Sequence, residues 1–105
     1  MKVAITSTGN TPGSMIDPRF GRCAWFIVYD TEIKSTEFIP NPYKDSDEDA
    51  GPAAIKLLES RNVSKIISGE FGFKVKPVLD KLKIQMIVIK DSNRKIFEII
   101  DLLNH

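Results

Sequence analysis

The sequence predicts an α/β fold: a five-stranded mixed sheet carrying three helices. Three observations predict it. Five short runs rich in β-branched and aromatic residues are separated by turn signals. Three other segments place apolar residues at helical spacing. The elements follow in the order βββαβαβα, and the strand–helix–strand alternation in the later part implies parallel strands joined by right-handed crossovers.

The first strand is Val3-Ala4-Ile5-Thr6. A long loop follows over 7–22, dense in Gly, Pro, Ser and Thr at its start and ending in Asp17-Pro18-Arg19-Phe20-Gly21-Arg22. Ordered loops of that length are more often functional than not. Ala24-Trp25-Phe26-Ile27-Val28-Tyr29 makes the second strand. A short turn over 30–34 leads into the third, Ser35 to Pro40, so these two form an antiparallel hairpin. A second long loop, 41–51, holds the acidic run Asp45-Ser46-Asp47-Glu48-Asp49.

Pro52 suits the first turn of helix 1, where its missing N–H costs little. Ala54, Leu57, Leu58 and Arg61 share one helix face, which runs to about Asn62. Strand 4 is Lys65-Ile66-Ile67-Ser68, and the turn Gly69-Glu70-Phe71-Gly72 leads to helix 2. Helix 2 presents Val75, Val78, Leu79 and Leu82, with Pro77 in its first turn. Gln85 to Ile89 is strand 5. Helix 3 is capped by Ser92 or Asn93 and buries Ile96, Ile99, Ile100 and Leu103. Strands 1, 4 and 5 run parallel, strand 2 runs against strand 1, and the expected order across the sheet is 3-2-1-4-5.

A chain of 105 residues suits a single domain, assigned to 1–105. Its 15 basic and 14 acidic residues leave a net charge of +1, which gives no general reason to expect nucleic acid or an anionic membrane as partner. No apolar run reaches the ~20 residues of a membrane span. Nothing reads as a signal peptide, so the cytoplasm is the expected location. The lone cysteine excludes an internal disulfide framework and a Cys₄ cluster site. His105 is the only histidine, and a terminal tail is its expected place; that excludes a histidine-based zinc site and a Ser–His pair held within the fold. The acidic run lacks the spacing of a calcium loop, so it reads as solvated.

This topology gathers the unusual residues at one end of the sheet. The loops after strands 1, 3 and 4 leave by that end, and antiparallel strand 2 begins there. In open α/β sheets ligands bind outside the carboxyl ends of the parallel strands. The candidate residues on this rim are Arg19, Arg22, Cys23, Ser68, Gly69 and Gly72. Arg19 and Arg22 could face an anion, while an Asp17–Arg19 bond and Phe20 could simply brace the loop. Cys23 is either a thiol of lowered pKa and soft metal ligand, or a small buried hydrophobe. Ser68, Gly69 and Gly72 either expose backbone N–H groups to an anion or only make a tight strand-to-helix turn. The turn is neither a Walker A loop nor a G-x-G-x-x-G fingerprint.

The stretch Asp17-Pro18-Arg19-Phe20-Gly21-Arg22-Cys23 and the aromatic strand ending in Asp30 resemble the dinitrogenase iron–molybdenum cofactor biosynthesis family. That family includes NifX, NafY, the C-terminal part of NifB and small stand-alone archaeal and bacterial members. Asn41-Pro42, Gly51-Pro52-Ala53-Ala54 and the run Asn62 to Gly69 are similar too, so the resemblance spans essentially the whole chain. Where many members carry a histidine before helix 1, this chain has its acidic run. The resemblance implies a ribonuclease H-like three-layer fold. It also implies a non-enzymatic carrier or accessory role, with an iron–molybdenum or other metal–sulfur cluster, or its precursor, as ligand. Cys23 is then the candidate metal ligand. The alternative is a regulatory or adaptor domain that holds a cluster-assembly protein and no metal of its own. A two-metal hydrolase ranks last, because strand 1 carries no carboxylate.

Overall fold

In the computed structural model, residues 1–46 and 48–104 are described. Asp47 in the acidic run and the lone His105 lie outside them. The elements follow as β1 (Lys2–Ser7), β2 (Trp25–Asp30), β3 (Ser35–Pro40), α1 (Ala50–Ser60), β4 (Val63–Ser68), α2 (Lys76–Leu82), β5 (Gln85–Val88) and α3 (Ile96–Leu103). The sheet order is β3-β2-β1-β4-β5, with β2 antiparallel to both neighbours and β1, β4 and β5 parallel. Fold class, strand order and strand directions are those the sequence predicts.

The central strands are apolar on both sides, as strands covered by helices must be. Side chains alternate along a strand, so neighbours serve opposite faces. Ala4, Phe26, Val28 and Ile66 pack on one face with Ala54, Ile55 and Leu58 of α1 and Leu79 of α2. Val3, Ile5, Ile27 and Ile67 pack on the other with Ile96 and Ile99 of α3 and Ile16 of the first long loop. These two cores make the three layers. Fully burying one such Ile or Leu contributes roughly 1.5–3 kcal/mol.

Helix ends show where local chemistry decides. Asn62 sits at φ 63°, a left-handed conformation that Asn tolerates well, and it stops α1. Pro77 lies in the first turn of α2, where no intrahelical N–H is lost. The expected cap of α3 is corrected: neither Ser92 nor Asn93 caps it. The Asn93 N–H turns instead to the Asp91 carboxylate at 3.1 Å. The helix begins at Ile96, after Lys95, whose N–H donates to the Glu98 carboxylate at 2.9 Å. The N–H groups of Ile96 and Phe97 donate to the carbonyls of Ser14 and Pro12, both at 2.9 Å. The loop after β1 therefore caps the last helix. Among the described residues no helix is long and apolar enough to cross a membrane.

Candidate functional site

The rim is built from the long loop after β1. Asp17 is 2% exposed. Its N–H donates to the Thr6 carbonyl at 3.0 Å, and its own carbonyl accepts the Thr6 hydroxyl at 2.7 Å. Its carboxylate then accepts the Arg19 N–H at 3.0 Å and Arg19 Nε at 3.3 Å. Phe20 plugs the sheet end, with ring centroids 5.9 Å from Phe26 and 5.5 Å from Phe71. Asp17 and Phe20 thus brace the loop. The Arg19 side chain is engaged with Asp17 but half exposed.

Asn41 joins this loop to the one after β3. It is buried, and its amide donates to the carbonyls of Gly21 at 2.9 Å and Cys23 at 3.0 Å. Its side-chain oxygen accepts the Tyr43 N–H at 3.0 Å, and its own N–H donates to the Ala24 carbonyl at 3.1 Å. Only the unremarkable pair Asn41-Pro42 marked this position in the sequence.

Cys23 lies inward of the rim. It is fully buried, in the core beneath Asn41, alongside Phe20, Phe26 and Ala54. Burial first, and the Asp17 charge second, push its thiol up to about 12. Of its two readings, this placement is that of a small buried hydrophobe. Ser68 is buried as well, its hydroxyl 3.1 Å from that of Thr6 and donating to the Glu70 carbonyl at 3.2 Å. Gly69 is filled by protein: a Cβ there would lie 2.5 Å from Pro18 Cα. Its φ is not positive, so it serves close packing of two loops rather than a strained turn.

Among the described residues, depressions lie at two places on the rim. The first, of about 240 Å³, lies where α1 starts and is lined by Gly21, Arg22, Asp49, Ala50, Gly51, Pro52, Gly72, Phe73, Lys74 and Val75. It therefore joins Arg22 and Gly72 of the expected set. Gly21 and Gly51 let its walls meet: a Cβ on Gly21 would lie 2.7 Å from Gly51 N, and one on Gly51 2.7 Å from Val75 Cγ2. A Cβ on Gly72 would meet nothing within 4 Å. A helix start leaves N–H groups without intrahelical partners, and Asp49 gives α1 no side-chain cap. Arg22 and Lys74 supply positive charge and Asp49 negative.

The second depression, of about 320 Å³, lies across the ends of β1, β4 and β5, lined by Ile16, Pro18, Gly69, Glu70, Ile89, Lys90 and Ser92. Lys90 and Ser92 were not among the expected site residues. The signal for them was present, because β5 is parallel and its exit must share the rim. Their loop carries no glycine or cysteine to draw the eye. Arg19, Ser68 and Cys23 line neither depression. Among the described residues no group of three or more His, Cys, Asp or Glu is placed to hold a metal ion.

Known proteins bear on this geometry. The apo orange protein from Desulfovibrio gigas superimposes with a TM-score of 0.88 at 24% identity, covering 95% of this chain and 83% of that one. A Thermotoga protein provisionally assigned to NifB gives 0.81 at 30% identity, covering 95% and 84%. A Methanocaldococcus jannaschii protein provisionally assigned as a dinitrogenase gives 0.60 at 25% identity, covering 98% and 90%. No curated protein matches the chain significantly. The family model described as dinitrogenase iron–molybdenum cofactor matches residues 1–104, and the chain belongs to that family.

Proposed function

We propose that this chain is a carrier that holds an anionic metal–sulfur cluster or cluster precursor as cargo, in the groove where α1 starts, without catalysing a reaction. The observation that carries the reading is the convergence there of Arg22, Lys74, an uncapped helix start and the open backbone of Gly72. Guanidinium, ammonium and backbone N–H groups suit the charge of a thiometallate. The family and its association with iron–molybdenum cofactor support the ligand class.

The donor set decides how the cargo is held. Cys23 is sealed and protonated, and no three-residue ligand cluster stands among the described residues. Bare metal ions have little to coordinate. Cargo that arrives with its own sulfur ligands needs only charge and hydrogen bonds. Anaerobic incubation with tetrathiomolybdate, or with iron, sulfide and molybdate, tests this. Colour and metal should co-elute with the protein on gel filtration, persist in Cys23→Ala, and fall about tenfold in affinity in the Arg22→Gln/Lys74→Gln double variant. Metal that never co-elutes with the wild-type protein would defeat the reading.

A second reading, a docking module for a cluster-assembly protein, is favoured by one residue. Phe73 is 85% exposed on the lip of the same groove. Phe73→Ala would abolish capture of such a partner while leaving thiometallate binding intact.

A further inference from the structure

We propose that the second depression, between the exits of β4 and β5, binds a small zwitterion with an apolar body, namely an aliphatic α-amino acid. The inference goes beyond the carrier reading and does not depend on it, because the two depressions share no lining residue.

The topology opens this crevice. β4 and β5 are parallel neighbours. The chain leaves β4 for α2, which packs on the sheet face that carries Ala4 and Phe26. It leaves β5 for α3, which packs on the opposite face with Val3 and Ile5. Connections that depart to opposite faces leave the space between the strand ends unfilled, and ligands of open α/β sheets lodge in such crevices. The local bonds show where the two exits part. Ser68 still pairs with Val88, and its carbonyl accepts the Ile89 N–H at 3.0 Å. The chain after β4 then turns to the loop after β1. Gly69 packs so closely there that a Cβ would lie 2.5 Å from Pro18 Cα, and the backbones of Glu70 and Arg19 form a parallel bridge. The chain after β5 continues through Lys90 and Ser92 towards α3. Ile16 is 1% exposed, and the Arg94 carbonyl accepts its N–H at 2.9 Å, so this wall is fixed.

The lining sets the ligand. Ile16, Pro18 and Ile89 are apolar and suit an aliphatic body. The two charged residues come from opposite sides, Glu70 from the exit of β4 and Lys90 from that of β5, with Ser92 beside Lys90 in the same loop. Both are exposed, and none of the ion pairs among the described residues takes either charge. Their charged neighbours are engaged: Arg19 with Asp17, and Asp91 with Arg94 and the Asn93 N–H. A simple anion would be opposed by Glu70 and a simple cation by Lys90. A ligand that carries both charges suits both sides, its carboxylate accepting from Lys90 and the Ser92 hydroxyl and its ammonium donating to Glu70. At about 320 Å³ the depression stands at the small end of the ~300–1,000 Å³ of ligand pockets, which fits a single amino acid.

An NMR titration of the full chain with L-leucine tests the site. Leucine should move the backbone amide signals of Glu70, Lys90 and Ser92 and leave those of Gly51 and Lys74 still. It should bind about tenfold more tightly than isocaproate, which lacks the ammonium, or isoamylamine, which lacks the carboxylate. Glu70→Gln and Lys90→Gln change exposed side chains and should fold as the wild type does. Each should weaken leucine binding about fivefold, Glu70→Gln without weakening isocaproate and Lys90→Gln without weakening isoamylamine. Leucine that moves no signal, moves those of the cargo groove instead, or binds no better than the two analogues overturns the proposal. So does either variant that binds leucine as the wild type does. Tetrathiomolybdate binding is a separate readout, so failure here leaves the carrier reading standing, and failure of that reading leaves this one.

Discussion

Reagents that attack thiols report directly on how the rim is built, because the one cysteine is placed where they cannot reach it. Cys23 is fully buried, and its thiol is pushed from its ordinary 9.0 up to about 12, by burial first and by the Asp17 charge second. At pH 8 about a tenth of an unfolded thiol is thiolate, against about one in ten thousand in the native protein, a ratio of about a thousand. Reaction with a disulfide reagent such as dithionitrobenzoate needs the thiolate, so the native chain should react at least about a thousandfold slower than the same chain in guanidinium. The same burial predicts an alkaline weakness. Between 9.0 and about 12 the unfolded chain gives up this proton and the native chain keeps it, so stability falls as pH rises through that range. The loss reaches about 1.4 kcal/mol at pH 10. Denaturant melts at pH 8 and pH 10 should show it in the wild type and lack it in Cys23→Ala, which isolates the contribution of this group. A native thiol that reacts at the denatured rate would refute the reasoning and return Cys23 to the surface as a candidate ligand.

Other substitutions separate parts of the same architecture. Asn41→Ala leaves the buried Cys23 carbonyl and its Gly21 neighbour without their amide donor, and should cost about 2–4 kcal/mol in chemical denaturation. Gly21→Ala drives a Cβ to 2.7 Å from Gly51 N, a backbone atom that cannot swing aside, so it should cost about 1–3 kcal/mol and weaken thiometallate binding together. Gly72→Ala meets nothing within 4 Å and should change stability by less than about 0.5 kcal/mol, which makes it the matched control for stability.

Much of this fold is written locally. β2 is an unbroken aromatic and β-branched run, α1 and α2 repeat their apolar residues at helical spacing, and the links between elements leave little choice of strand order. What escaped is what depends on a distant partner. The α3 start reads as Ser92 or Asn93 because both are good caps, yet its true acceptors are the carbonyls of Ser14 and Pro12, some eighty residues earlier. Cys23 reads as a rim residue because it adjoins Arg22, and it is the Asn41 amide, fastened over Gly21 and Cys23, that closes the core above it. Arg22 and Gly72 were legible as a pair from topology alone, since their loops leave the same end of the sheet. Lys74 escaped because a single lysine carries no pattern of its own.

The carbonyls of Pro12 and Ser14 that receive the α3 N–H groups have a consequence for biogenesis. The chain leaves the ribosome N-terminus first. The meander of β1, β2 and β3 is contiguous in sequence and can form early. The loop that follows β1 cannot settle until Ile96 and Phe97 have emerged to meet it. A nascent chain would therefore own most of its sheet well before it owned a finished rim, and competence to take up cargo would be among the last properties it acquired.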